Sequence, residues 1–298
     1  MLFFLTGIKM NRRDFLSTMS VMLTSAQQLL NEVKAMPPTP LMPAFFIGHG
    51  SPMNAIMDNQ FTQDLAKSTL NLPAPNAIMV VSAHWLTNGT FVSVNNFPKA
   101  IYDFGGFPKA LSEVKYEPLG SSEYALQVKT LLDQSHNIQT SDMMGLDHGA
   151  WSILRHMYPK ANIPVFQLSI DVSQPAKYHY DLIKQLSALR SKGLMVVGSG
   201  NVVHNLGSVN WNDPTAGPYD WTVEFDAYVA QHLQTGNHLA LVDYFKAGQC
   251  ANLSVPTNEH YLPMLYVLGI QQKNEQLKFI HHSFDMGSIS MRSFMLQG

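Results

Sequence analysis

The sequence predicts an α/β fold: one domain with a central, largely parallel or mixed sheet flanked by helices. Three observations predict it. Several short runs are apolar at nearly every position, as strands buried on both faces are. Helical patterns lie between those runs. The chain has 298 residues, 46% hydrophobic and only 13% charged, which is enough apolar material for a large core.

Taken in order, the chain opens with a segment that stands apart. Residues 10–26, "MNRRDFLSTMSVMLTSA", carry an Arg12-Arg13 pair, then Phe15-Leu16 and a moderately apolar stretch. Thr24 and Ala26 are small residues at the spacing of a cleavage site. This resembles a twin-arginine export signal. The other reading is an amphipathic extension that stays in the cytoplasm, and the residues leave both open. Residues 36–43, "MPPTPLMP", hold four prolines and predict an extended linker. Residues 1–41 are therefore an extension and linker, and the domain spans 42–298.

Within the domain, residues 44–47, 77–85, 91–95, 163–170 and 194–200 read as strands. Residues 121–134 read as a helix that opens with a serine and a nearby glutamate. Residues 176–193 read as a helix ending in basic residues and a glycine. Residues 221–236 read as a third.

Composition removes several function classes. The formal net charge is −2 and no basic run occurs, so nothing points to a nucleic-acid partner. No run of about 20 apolar residues exists to span a membrane. The single cysteine, Cys250, excludes an intrachain disulfide and a multi-cysteine metal site. It lies in "AGQCANL" with no evident base, so it reads as a structural thiol. Any metal must be held by nitrogen and oxygen. Oligomeric state is not legible.

Twelve histidines are the unusual item. His49 follows the first apolar run, in "GHGSP". His84 ends the second, in "VVSAHW". His204 lies just past the fifth, in "GSGNVVHNL". Ligands of open α/β sheets bind outside the carboxyl ends of the strands. Three strands that each deliver a histidine to that edge suit a metal or catalytic site. Gly48 and Gly50 leave room beside the first imidazole. His148, in "GLDHGAW", sits at a loop-to-helix junction. Glu259-His260 opens an apolar helix or turn. His136, His156, His179, His232 and His238 read as surface or hydrogen-bonded core residues, and His281-His282 as surface. Competing chemistries lack their signatures. There is no G-x-S-x-G elbow, and Ser51 is followed by proline. "GSGNVV" lacks the third glycine of a dinucleotide fingerprint, and no P-loop lysine follows.

The segments "PAFFIGHGSPMNAI", "VVSAHW", "YDFGGFP", "DHGAWSIL", "VFQLSID", "GNVVHNL", "EHYLPMLYVLG" and "MGSISMRSF" resemble, in this order, the 4,5-DOPA extradiol dioxygenase family. That family belongs to the class III extradiol ring-cleaving dioxygenases, related to the catalytic subunit of protocatechuate 4,5-dioxygenase. The likeness runs from about residue 42 to the C-terminus. It implies a single α/β domain with a non-haem metal at the sheet edge. It implies metal ligation by His49, His84 and His260, and by His204 as in zinc-bound members. In the more distant protocatechuate enzymes a histidine at the His204 position acts as a base, and a glutamate completes the iron site. Here the choice lies between Glu259 and His260, and the resemblance favours His260. His148 resembles an acid/base residue behind the metal, so His148 and His204 are the catalytic candidates. Tyr102, Phe104 and Phe107 read as an aromatic substrate pocket, with ordinary core packing as the alternative. The implied substrates are a DOPA-like catechol and O₂. Fe(II) is implied for activity, and Zn(II) is expected in purified protein because it outcompetes ferrous iron. The competing reading is a zinc-binding protein of the same fold with a hydrolytic or non-catalytic role.

Overall fold

The continuous apolar runs become the inner strands of a six-stranded mixed sheet. In this computed structural model the described residues are 31, 35–133, 135–213 and 216–298. The arginine-pair segment, residues 10–26, lies outside them. Residues Pro38–Gly298 form one compact unit.

Six strands make the sheet: β1 (Ala44–Gly48), β2 (Ala77–Ser82), β3 (Val165–Gln167), β4 (Leu194–Gly200), β5 (Gln276–His281) and β6 (Ser293–Gln297). Their spatial order is β3-β2-β4-β1-β6-β5. β3, β2, β4 and β1 run parallel, and every residue of β1, β2 and β4 is buried. β6 and β5 are antiparallel additions at one edge. This settles the sheet as mixed. The sequence predicts no strand at β5 or β6; β5 alternates in exposure and borders solvent, whereas β6 is buried at all but its last residue. One predicted strand divides. Residues 163–170 supply β3 and then a separate two-residue strand, Ile170–Asp171, which pairs with Leu86–Thr87. Thr90–Ser93 pairs with Ile138–Ser141 in another small ladder.

Helices cover both faces. The longer ones are α1 (Gln60–Ser68), α2 (Ser122–Leu132), α3 (His148–Met157), α4 (Ala176–Leu182), α5 (Asp220–Gln234) and α6 (Leu262–Gly269). Beyond α4 the chain tightens into a 3₁₀ helix to Lys192 and ends at Gly193 with φ 92°. Trp151, Ile153 and Leu154 of α3 join Phe45, Ile47, Ile78, Val80, Met195 and Val197 in the main core. α6 packs on the opposite face of β4, because side chains alternate along a strand. There Gly198 and Gly200 face Pro263 and His260. Among the described residues no helix is long and apolar enough to cross a membrane.

Several histidines read as structural have ordinary partners. His156 Nε2 lies 2.9 Å from the Asn54 carbonyl, and His179 Nδ1 lies 2.7 Å from the Tyr266 hydroxyl. His238 Nδ1 is 3.1 Å from the Tyr180 hydroxyl. His281 is not a free surface group: Asp64 faces its Nδ1 at 2.8 Å and Ser283 its Nε2 at 2.9 Å.

Candidate metal centre

Parallel strands put their carboxyl ends on one rim, and the register decides which residues meet there. Gly48 pairs with Gly200, and Ser82 with Ser199. His49 and His84 therefore leave the sheet side by side. The backbone past β4 draws in two more loops. Asn201 N–H donates to the His260 carbonyl at 2.8 Å, and the Asn201 side-chain oxygen accepts from Gly50 N–H at 3.3 Å. Gly50 itself has φ 59°, a left-handed turn that favours glycine. Asp147 caps α3 by accepting from Ala150 N–H at 3.1 Å, and the same oxygen accepts from Ser82 at 2.6 Å. That ties the helix start, and with it His148, to the end of β2.

Three imidazoles form a near-equilateral triangle. Ring centroids lie 5.0 Å apart for His49–His84, 5.3 Å for His49–His260 and 5.1 Å for His84–His260. The neighbours assign their tautomers. Ser199 has one hydroxyl hydrogen and gives it to the Gly149 carbonyl at 2.6 Å. Its contact with His49 Nδ1 at 2.9 Å must then be donated by the ring. His260 Nδ1 lies 3.1 Å from Glu259 Oε1, and His84 Nδ1 lies 3.4 Å from Asp103 Oδ2. Carboxylate oxygens only accept, so these nitrogens also carry the hydrogen. All three Nε2 atoms are left with lone pairs.

The donor set fits a divalent ion. His49 Nε2 and His84 Nε2 are 3.2 Å apart. Neither bears a hydrogen in this tautomer, so their proximity is favourable only with a cation between them. Two ligands bonded to one ion at about 2.0–2.1 Å can span that gap. An oxygen behind each ring is the usual backing of a metal-ligating histidine. Burial, then the neighbouring imidazoles, holds His49 and His260 well below the ordinary histidine range. Burial, then the charge of His148, brings His84 down to about 3. Burial brings His204 down to about 4. Neutral rings are the form that binds metal.

His148 and His204 are placed differently. His148 has a ligating nitrogen within 4.8 Å of those of His49 and His84. Its Nδ1 is 3.0 Å from Asp103 Oδ1, and that oxygen also accepts His148 N–H at 2.9 Å. Asp103 thus faces the His148 ring as well as the His84 ring, although its contact with the buried His148 Nδ1 lacks hydrogen-bond geometry. His204 stacks flat on His260, 3.5 Å between centroids and 7° between planes. With Glu259 and His260 it forms a second close set of ligating atoms. Glu259 backs His260 from the Nδ1 side. Of the aromatic candidates, Phe104 reaches the site, with its ring 5.6 Å from His148. Phe107 stands edge-on behind it at 5.6 Å. Tyr102 lies against Phe104 and Trp151 and gives its hydroxyl to the Val114 carbonyl. Sequence reasoning missed Asp103 and Ser199. Asp103 had one signal, a lone acid inside the aromatic "YDFGGFP" loop. Ser199 had none, since a serine in a buried strand reads as filler.

Two expected outcomes arise here. Gly200→Ala would put a Cβ 2.1 Å from the His260 carbonyl oxygen, a backbone atom that cannot yield cheaply. The variant should lose about 3 kcal/mol in denaturant unfolding and bind metal more weakly. Unchanged stability would mean that His260 is not packed on β4 as described. The second outcome concerns acid. In metal-free protein the four lowered histidines stay neutral when folded, but in the unfolded chain they protonate near the ordinary value of 6.5. Stability is therefore complete above about pH 6.5 and falls as pH drops toward the folded values. The denaturant midpoint should be lower at about pH 4.5 than at about pH 7. A flat profile would contradict neutral burial.

A layered α/β unit with histidines gathered at the strand ends defines a metal-site enzyme of the open-sheet type. Residues 43–295 match the family described as the catalytic LigB subunit of aromatic ring-opening dioxygenase. The chain is 45% identical over 258 residues to "4,5-DOPA dioxygenase extradiol" of Escherichia coli (strain K12), covering 86% of this chain and 94% of that protein. It is 36% identical over 256 residues to the protein of the same description from Beta vulgaris, covering 84% and 94%. A crystal structure of an uncharacterized protein from Escherichia coli K12 superposes with a TM-score of 0.75 at 41% identity, covering 86% of this chain and all of that one. The chain belongs to the LigB family of extradiol ring-cleaving dioxygenases.

Proposed function

We propose that the enzyme opens the ring of a DOPA-like catechol with O₂ beside the diol, giving a muconic semialdehyde. The observation that carries this reading is the triangle of His49, His84 and His260, each backed at Nδ1 by an oxygen. These three hold the ion. Their three Nε2 lone pairs would hold a divalent ion such as Fe(II). Fe(II), when bound, lowers the catechol pKa and brings the two reactants together, which zinc, without redox chemistry, cannot carry to ring opening.

The chain's own residues do the rest. Phe104 offers an aromatic face beside His148 against which a catechol ring is oriented. His148 takes the second hydroxyl proton on Nε2, the nitrogen turned away from Asp103. His148 gives that proton back as the ring opens, with neutral His204, stacked on His260, as the second base candidate; in a zinc-loaded protein His204 joins the ligands. Asp103 holds the His84 tautomer and the start of α3 together.

Oxygen uptake by iron-reconstituted protein across a catechol panel tests the reading. The expected result is uptake with a yellow product. No uptake with any catechol would favour a zinc-binding protein of this fold with another role.

A further inference from the structure

One buried residue reaches three of the segments that make the centre. Asn201 stands just past β4 and is 1% exposed. Its Oδ1 accepts from Gly50 N–H at 3.3 Å, one residue beyond His49. Its Nδ2 donates to the Ser290 carbonyl at 2.9 Å. Its backbone N–H donates to the His260 carbonyl at 2.8 Å. The partners fix which end of the amide is which, since an N–H must meet the oxygen and a carbonyl must meet the nitrogen. A carboxamide supplies that acceptor and that donor from one planar group.

Both ends of the amide are held. At Ser290, the hydroxyl donates to Asp226 Oδ1 at 2.6 Å, and Arg292 donates to both oxygens of the same carboxylate. Asp226 and Arg292 are buried, so Ser290 is a fixed point. At Gly50, the Met291 sulfur occupies the place that a Cβ would need, 3.9 Å from Asn201 Nδ2. The left-handed turn after His49, with φ 59°, is thus pressed between Met291 and Asn201. A glycine turn has little conformational preference of its own, so its neighbours decide where it sits.

We propose, on the three-histidine reading above, that Asn201 is a positioning residue. Its side chain sets the His49 turn against the loop of His260, and through those two ligands it sets metal affinity and ligand geometry.

The test measures zinc affinity by chelator competition and the visible absorption bands of cobalt-loaded protein. In Asn201→Ala, zinc affinity should fall about 10–100-fold, the usual cost of losing a group that orients a ligand, and the cobalt bands should move. Asn201→Ser places one hydroxyl where the amide had a separate acceptor and donor. It should show both changes, and it decides the matter if the alanine variant does not fold. Glu275→Gln is the control for stability alone. It breaks the buried pair with Arg190, which also holds the Met42 carbonyl at the opposite, amino-terminal end of β1. Its unfolding midpoint should fall while zinc affinity and cobalt bands stay as in wild type. Wild-type affinity and bands in the Asn201 variants would overturn the proposal. So would weaker binding with unmoved bands, or an equal loss in Glu275→Gln. Zinc binding that survives His84→Ala would instead overturn the three-histidine reading.

Discussion

His84→Ala protein is expected to bind no divalent metal in a chelator competition that wild-type protein survives. The alanine removes one corner of the triangle and one of two nitrogens 3.2 Å apart. Losing only an orienting partner costs about 10–100-fold in affinity, so losing the donor itself must cost more. The fold should survive. His84 lies past the end of β2 and is partly exposed, so the alanine leaves a small polar gap at the rim and not a hole in the core. Near-native thermal unfolding together with lost metal would therefore fit. Retention of tight metal binding by this variant would remove the three-histidine centre from consideration.

His148→Ala is expected to do the opposite: keep the metal and lose turnover, with kcat down about 10²–10⁴-fold, the usual contribution of a proton-transfer group. The outcome is informative because the geometry admits a rival. The ligating nitrogens of His148, His49 and His84 all lie within 4.8 Å of one another. The Asp103 oxygen 3.0 Å from His148 Nδ1 would back a ligand or a base alike, so the variant decides between them. Loss of metal in His148→Ala would make this residue a ligand. Undiminished turnover would deny it any chemical part.

Much of this architecture was legible in the chain because buried parallel strands leave a loud trace. "AFFIG", "AIMVVS" and "LMVVGSG" have almost no polar positions, and each hands over to a histidine or to a loop that carries one. Turn chemistry marked the start of α3, where Asp147 caps the helix that His148 opens. The antiparallel edge was silent. β5 is half exposed and mixes Gln276, Lys278 and His281 with apolar residues, so its pattern suits a loop as well as a strand. The backing groups were silent for another reason. Asp103 lies 45 residues from His148, and Ser199 lies 150 from His49, so only the folded register brings them together. Spacing within the sequence carries no information about contacts of that kind.

Ser199 has a consequence that reaches past its own strand. Its single hydroxyl hydrogen is spent on the Gly149 carbonyl in the first turn of α3, which obliges His49 to be the donor in the other contact. The helix that presents His148 thus decides which face of His49 is basic. A drift of that first turn would reverse the hydroxyl and turn a lone pair away from the ion. A change at the helix start that retunes proton handling would therefore also alter the grip on metal, so the two halves of the centre are coupled.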